Sequence, residues 1–489
     1  MTPITSQLMP EFASDERTGH LIDLLAGGGD ARLTLNRATG LNRYMSGPYP
    51  RDVLAFASST ANDISPDAFR YLLARPLVQN GGYGAALDAM RERLRAAFGL
   101  GRAVETVFAP SGTDLEYVAL AATIGRAEGG VHNVLLGADE VGRGCILSAA
   151  GKYFSGESAL GGSVEAGAPV AGLGQVSLTD IPVRCGEGLA RSSAEIAAAI
   201  DTEVELAQAE GRHALIHVVH GSKTGLILPE LAEIDALRAR WGDAVTIVVD
   251  ACQVRISPAE VAAYLEREAI VLLTGSKFIG GVPFSGFALV PQTLVRRAPL
   301  LPQGLQALFR RAEWPRGWAG REALEDTANP GLAARIDGAL FELERFWALP
   351  TEKIERVVAD FQRCLRHDLV APLGLREVET SAEGHAPADK TPDLLRTLVT
   401  LDVSMLPAAR TFDDAVALHA KLALGGLRLG QPVKSVRLPG DGWGGTLRIG
   451  LSMPQIVALA ALDDAARDER FAEQFGTIAR ALRQTETVA

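Results

Sequence analysis

Residues 244–253, AVTIVVDACQ, and residues 269–281, AIVLLTGSKFIGG, each run from a valine-, isoleucine- or leucine-rich stretch into a polar turn. Short apolar runs of this kind suit strands buried on both faces of a sheet. Where such a sheet is parallel, its strand ends are the places from which side chains reach a ligand crevice. The first run ends on Asp250, and the second delivers Lys277 just past its end. Taken singly, Asp250 is equally a turn or helix-cap residue, and Lys277 a solvated loop lysine. A carboxylate buried at the end of a central strand needs a cation or a hydrogen-bond donor, because an unpaired one is costly.

The same alternation recurs from about Thr106 to Pro291. The runs TVFAP, HNVLLG, ALIHVVH and GFALVP are separated by DLEYVALAATIGRAEG, SSAEIAAAIDTEVELAQAEG and PELAEIDALRARWG, each closed by a glycine. Glycine suits a helix end, and strands alternating with helices predict an α/β fold, a mostly parallel, doubly wound sheet covered by helices. After Asn329-Pro330 the pattern changes to a long helical stretch, GLAARIDGALFELERFWALP, then to mixed segments ending in TLRIGLSM and a polar terminal helix. This divides the chain into an N-terminal arm over 1–60, a large domain over 61–329 and a smaller C-terminal α+β domain over 330–489. The arm has weak periodicity, and the stretch 377–394, EVETSAEGHAPADKTPDL, reads as an exposed connection.

Length and charge narrow the function. A chain of 489 residues exceeds what one hydrophobic core usually organises. Its formal net charge of -11, without a local basic cluster, argues against a nucleic-acid partner. No run approaches the roughly 18 to 20 apolar residues of a membrane span. The opening MTPITSQLMPEFASDERTGH lacks a basic segment followed by an apolar stretch and a cleavage site, so a cytoplasmic location is expected. Cys145, Cys185, Cys252 and Cys364 lie far apart, which fits reduced thiols rather than a zinc site or a disulfide framework. His213, His217 and His220 share no clean face with carboxylates, so no metal is expected. His217 reads as a core residue and His220, at the strand end, as a substrate-pocket residue.

Two further features carry chemistry. In FAPSGTDLEYVAL, Ser111-Gly-Thr-Asp114 leads from a strand into a helix. Free amides, a permissive glycine and hydroxyls there make either a phosphate cradle or an ordinary helix cap. Neither the G-x-x-x-x-G-K-[ST] loop nor a strand-borne G-x-G-x-x-G occurs. Arg448, in TLRIGLSM, is either a guanidinium fork for a carboxylate or an edge-strand arginine reaching solvent.

Lysine, buried aspartate, phosphate cradle and carboxylate-binding arginine are together what pyridoxal 5′-phosphate requires. The order SGTD … HGSKTGLILPELAEI … VVDACQ … TGSKFIGG … LRIGLS resembles fold type I pyridoxal-phosphate enzymes, particularly the aminotransferase class V and cysteine desulfurase-like group, over most of residues 80 to 460. The resemblance implies a Schiff base on Lys277, with Asp250 facing the protonated pyridine nitrogen and Gln253 donating to the phenolic oxygen. It implies phosphate contacts from Ser111, Gly112 and Thr113, with Thr274 and Ser276 beside the lysine, and from Thr327 toward a neighbouring subunit. Arg448 would then fix the carboxylate of an amino-acid substrate. A homodimer with shared active sites is implied as well.

The chain also departs from that group. Ser222 stands where relatives commonly carry asparagine near the phenolic oxygen, Lys223 replaces an acidic residue, and Val141, in GADEVGRG, stands where desulfurases place a histidine over the ring. Cys364 falls in the helical stretch ERVVADFQRCLRHDL, so persulfide-forming desulfuration is disfavoured. The expectation is a pyridoxal-phosphate-dependent enzyme of a small α-amino acid, aminotransferase-like. The alternatives are a lyase or bond-forming elimination or replacement enzyme on the same scaffold, and a non-catalytic binding relative.

Overall fold

The computed structural model describes residues 4, 7–12, 15–57, 62–75, 82–142, 144–379, 392–440 and 442–484. The connection expected over 377–394 lies mostly outside the described residues. A short strand, β1 (Leu54–Phe56), precedes the main sheet. The sheet is built from β2 (Val104–Ala109), β3 (Val131–Leu136), β4 (Val176–Ile181), β5 (His213–His220), β6 (Ile227–Leu228), β7 (Val245–Asp250), β8 (Ile270–Thr274) and β9 (Gly286–Pro291). Its order is β2-β9-β8-β7-β5-β3-β4, with β6 added on β5. The neighbours β4, β3, β5, β7 and β8 run parallel, and β9 is antiparallel to both β8 and β2. The mostly parallel sheet read from the apolar runs is therefore present.

Register decides what faces the pocket. His217 pairs with Val248, Val219 with Asp250, and Asp250 with Leu272. Side chains alternate along a strand, so His217, Val248, Asp250, Leu272 and Thr274 share one face. The helix Leu115–Thr123, buried along its whole length, packs on that face with Val107, Leu215, Val248 and Leu272. Val249, Val271 and Leu273 point the other way, into a core shared with the helices Pro258–Glu266 and Pro330–Trp347. Covering on both faces is why these strands read as continuous apolar runs rather than alternating ones.

The C-terminal part adds β10 (Arg376–Glu377), β11 (Leu398–Asp402), β12 (Leu427–Leu429), β13 (Arg437–Leu438), β14 (Gly442–Trp443) and β15 (Thr446–Gly450). An antiparallel sheet β10-β11-β15 holds Arg448, β13 pairs with β14, and β12 pairs in parallel with β1. Pro330–Trp347 opens with Asn329 capping the amide of Leu332 at 3.0 Å and Pro330 in its first turn, both favourable at a helix start. That helix packs against Pro66–Ala74, Gly82–Ala97 and Met453–Ala460. Its buried Arg335 holds the arm by donating to the carbonyls of Leu25 at 3.1 Å, Gly28 at 2.9 Å and Gly27. Among the described residues no helix is long and apolar enough to cross a membrane.

The turn that follows β8 has little room behind it. A Cβ on Gly275 would sit 2.6 Å from Ala339 Cβ and 2.6 Å from Ser285 Oγ. Gly275→Ala is expected to lower stability by about 1–3 kcal/mol through overpacking. A urea unfolding midpoint equal to that of the wild type would show that the helix behind the turn yields.

Candidate functional site

The strand ends of β7 and β8 are tied together by local hydrogen bonds. The amide of Cys252 donates to Asp250 Oδ1 at 3.0 Å, the amide of Ala251 to the carbonyl of Leu272 at 3.0 Å, and Thr274 Oγ1 to the carbonyl of Cys252 at 2.7 Å. Between them Val254 adopts φ 58°, a left-handed conformation that costs a β-branched residue of order 1–3 kcal/mol. Its amide reaches the carbonyl of Ala251 at 2.8 Å, which closes the turn. Lys277 follows in the turn after β8, where Asn62 Nδ2 donates to its carbonyl at 2.9 Å and the amide of Met453 holds the next carbonyl, that of Phe278, at 2.7 Å.

Asp250 and Lys277 address one region. The thiol of Cys252 is pushed well up by burial and then by the charge of Asp250, while the charge of Lys277 pulls it down. The thiol of Cys145 is raised by burial, then by Glu116 and Asp250, and is likewise opposed by Lys277. Both acidic and basic groups therefore lie within electrostatic reach of the same two buried sulfurs. The Ser111–Thr113 loop borders this region, since a Cβ on Gly112 would fall 3.0 Å from Thr274 Cγ2 and 3.4 Å from Cys252 Sγ. Gln253 completes it. The Gln253 amide oxygen accepts from Arg255 Nη1 at 2.8 Å, and its Nε2 is buried without a hydrogen-bond partner.

The loop after β2 carries a feature that the sequence did not announce. Ser111 Oγ donates to the carboxylate of Asp114 and accepts from Arg32 Nη2 at 3.3 Å. Arg32, from the arm, pairs with Asp30 at 2.6 Å and lies over the rings of Phe154 at 4.7 Å and Phe284 at 4.5 Å. Burial raises the Asp114 carboxyl to about 6, against the pull of Arg32. A loop of backbone amides and hydroxyls with a half-buried guanidinium at its rim suits a phosphate.

Arg448 is 1% exposed, and burial brings its pKa down to about 10. It donates from Nε to the carbonyl of Gln431 at 2.7 Å and from Nη1 to that of Lys223 at 3.1 Å. Arg255, which the sequence reading passed over, is equally buried and is brought to about 9 by burial and by the like charge of Arg448. It also donates to Thr397 Oγ1 at 2.9 Å and the carbonyl of Leu451 at 3.2 Å. The two guanidiniums thus lie within electrostatic reach of each other.

Several expected residues have other neighbours. Ser222 Oγ donates to Glu140 at 2.8 Å, and Glu140 pairs with Arg184 at 2.8 Å. Burial opposes ionisation of Glu140, but Arg184 and the hydroxyls of Ser222 and Thr224 outweigh it and hold its pKa below the usual range. The ring of His220 contacts Tyr264 Oη at 3.1 Å and lies 3.9 Å from Glu260, on the sheet face opposite His217. Ser276 is buried beside Lys277, Val141 is half-buried against the core under the Ser193–Ala209 helix, and Thr327 is exposed in the single chain. Cys145, Cys252 and Cys364 are buried, and Cys185 is exposed. Among the described residues no three histidine, cysteine or carboxylate groups are placed to hold a metal ion.

Neither a protein-family model nor a curated protein sequence matches the chain. Solved structures do. A NifS-like protein is 13% identical, covers 87% of this chain and 99% of its own, and superposes with a TM-score of 0.50. The cystine C-S lyase C-DES, in complex with its reaction product cysteine persulfide, is 16% identical over 87% of this chain and 97% of its own, with a TM-score of 0.52. Pyridoxamine-pyruvate aminotransferase from Mesorhizobium loti is 15% identical over 90% and 99%, with a TM-score of 0.50. At these identities the likeness is one of fold, and it bears out the fold implied by the sequence resemblance.

Arg32→Ala leaves Asp30, whose side chain is 1% exposed, without its cation. Loss of a buried partner of this kind costs about 3–5 kcal/mol, which a fall in thermal midpoint would report. Asp114 adds a pH signature. Its folded-state pKa is raised, so the stability it lends is complete below about pH 4 and is lost as pH rises through about 6. Asp114→Asn should flatten that part of the stability profile, and an unchanged slope would place the titration elsewhere.

Proposed function

We propose that this chain is a pyridoxal 5′-phosphate-dependent enzyme acting on a small α-amino acid, aminotransferase-like in its reaction. The observation that supports this most is that Lys277 and Asp250 act on the same buried thiol of Cys252, beside the Ser111–Thr113 loop, with the unpartnered Nε2 of the next residue, Gln253. Each of those groups matches one functional group of the phosphorylated pyridine. Lys277 supplies an amine for its aldehyde, Asp250 an anion for its ring nitrogen, Gln253 a donor for its phenolic oxygen, and the loop amides and hydroxyls a seat for its phosphate. When bound, the cofactor supplies an electron sink that lets a bond to the substrate α-carbon break.

The protein's own contribution is orientation, charge and proton transfer. Asp250 keeps the far end of the ring positively charged. With the cofactor bound, the Lys277 amine would move a proton at the substrate α-carbon as a general base. Arg255 feels the charge of Arg448, and Arg448 is the proposed anchor for the substrate carboxylate. Thr274 and Ser276 line the lysine turn. Ser222 and His220 act through their neighbours, Glu140 and Tyr264.

Among the similar structures, two are aminotransferases and one holds glycine covalently linked to the PLP cofactor. The homodimer and the cytoplasmic location expected from the sequence belong to the same proposal. The exposed Thr327 is where a neighbouring subunit's phosphate would be met.

Borohydride reduction of protein incubated with pyridoxal phosphate, followed by peptide mapping, is expected to fix the cofactor on Lys277 and to give no adduct in Lys277→Ala. An adduct at another lysine would overturn the assignment. With a panel of amino acids, amino-group transfer to a keto acid is expected, reduced at least about 100-fold in Lys277→Ala. Release of ammonia or pyruvate without transfer would select the lyase reading instead. Arg448→Lys should raise KM for the amino acid about tenfold or more, as a bidentate contact becomes a point charge.

A further inference from the structure

Beneath Asp250 lie two titratable groups to which the proposed reaction gives no task. Glu116, on the helix Leu115–Thr123, is 2% exposed, and His217, on β5, is 1% exposed. Glu116 Oε2 stands 3.4 Å from His217 Nε2. Beyond that contact, neither Glu116 Oε2 nor either ring nitrogen of His217 has a hydrogen-bond partner among the described residues. His217 pairs with Val248, two residues before Asp250 on the same face, and the charge of Asp250 reaches both groups.

Two carboxyls and an imidazole in so dry a place do not all ionise. Geometry decides where the negative charge rests. Asp250 is half-buried and accepts the amide of Cys252 at 3.0 Å, whereas Glu116 is enclosed and has only the imidazole beside it. We propose that Glu116 holds its proton in the folded chain and forms with neutral His217 a positioning pair beneath Asp250, so that the anion of this face is Asp250. The proton on Glu116 faces Nε2, which leaves the ring hydrogen on Nδ1.

Other groups agree in direction. Burial first, and then the charge of Asp250, lift the Glu116 carboxyl well above the carboxylate range. Burial draws His217 down to about 4, with Asp250 opposing. The ionisable neighbours of Glu116 are His217 from β5, Asp250 from β7, Cys145 from the short helix Cys145–Ala149, and Asp114 and Tyr117 at its own helix, with Lys277 and Lys223 acting on Cys145. The proton assignment is a property of the cofactor-free chain. Its role in holding Asp250 ready for the ring nitrogen rests on the function proposed above.

The test uses the full chain in two states. In cofactor-free protein, infrared difference spectra between wild type and Glu116→Gln at neutral pH are expected to show the C=O stretch of a protonated carboxylic acid that the variant lacks. The pH midpoint of that band is expected to fall by about one pH unit or more in Asp250→Asn, because the neighbouring anion is gone. No protonated band, or a midpoint indifferent to Asp250, overturns the proposal. In protein loaded with pyridoxal phosphate, the visible absorbance should titrate alike in wild type and Glu116→Gln, which keeps a neutral donor, and should shift in Glu116→Leu and His217→Leu. An unmoved titration in both leucine variants removes the positioning role. Failure of the cofactor reading would appear separately, as absence of the Lys277 adduct with the infrared result unaffected.

Discussion

Asp250, Thr274 and the turn that carries Lys277 take their positions from the backbone register of β5, β7 and β8. Side chains of a strand change face at each residue, so a slip of one position would send Asp250 and Thr274 into the core beneath Val249 and Leu273. Apolar residues on both faces make such a slip cheap in hydrophobic terms, and the polar residues at the strand ends resist it. Asp250 accepts the amide of Cys252, and Thr274 donates to the carbonyl of the same residue. Those two bonds fix where each strand stops. The strained φ of Val254 persists because this turn is held from both sides.

The buried charges follow one rule: each is met by an opposite charge or by fixed dipoles. Arg32 has Asp30, Glu140 has Arg184, and Arg335 has a set of arm carbonyls. Arg448 is held by the carbonyls of Gln431 and Lys223, without a carboxylate at bonding distance among the described residues. A guanidinium supported only by backbone dipoles retains affinity for an incoming anion. Gln253 shows the same incompleteness in a neutral group, with one end of its amide committed and the other idle.

The strands and the helices between them were legible because their signals are local: β-branched runs, glycines after alanine-rich stretches, a lysine and an aspartate at strand ends. The placement of a candidate residue was legible where it follows from its own strand, as for Asp250 and Lys277. It was illegible where the role comes from a distant partner. Arg32 lies in an arm without periodicity, and its position depends on Ser111, Phe154 and Phe284. Arg255 sits two residues past Gln253, and only the approach of Thr397 and Leu451 shows that it is buried. Glu116 drew no role from the sequence, because nothing local reveals that both sides of Leu115–Thr123 are covered. Ser222 and His220 read differently for the same reason, since Glu140 and Tyr264 are far from them in sequence.

The clasp between Arg335 and the carbonyls of Leu25, Gly27 and Gly28 has a kinetic meaning. Its partners are separated by about three hundred residues, so this hold on the arm is missing while the first part of the chain leaves the ribosome. Arg32 meets Asp30, Ser111, Phe154 and Phe284, all of which precede the long helix, whereas Arg448 arrives only after it. Nascent sheet and finished pocket are therefore distinct stages: a truncated product that ends before residue 330 would have its central strands but neither the clasp nor the C-terminal wall.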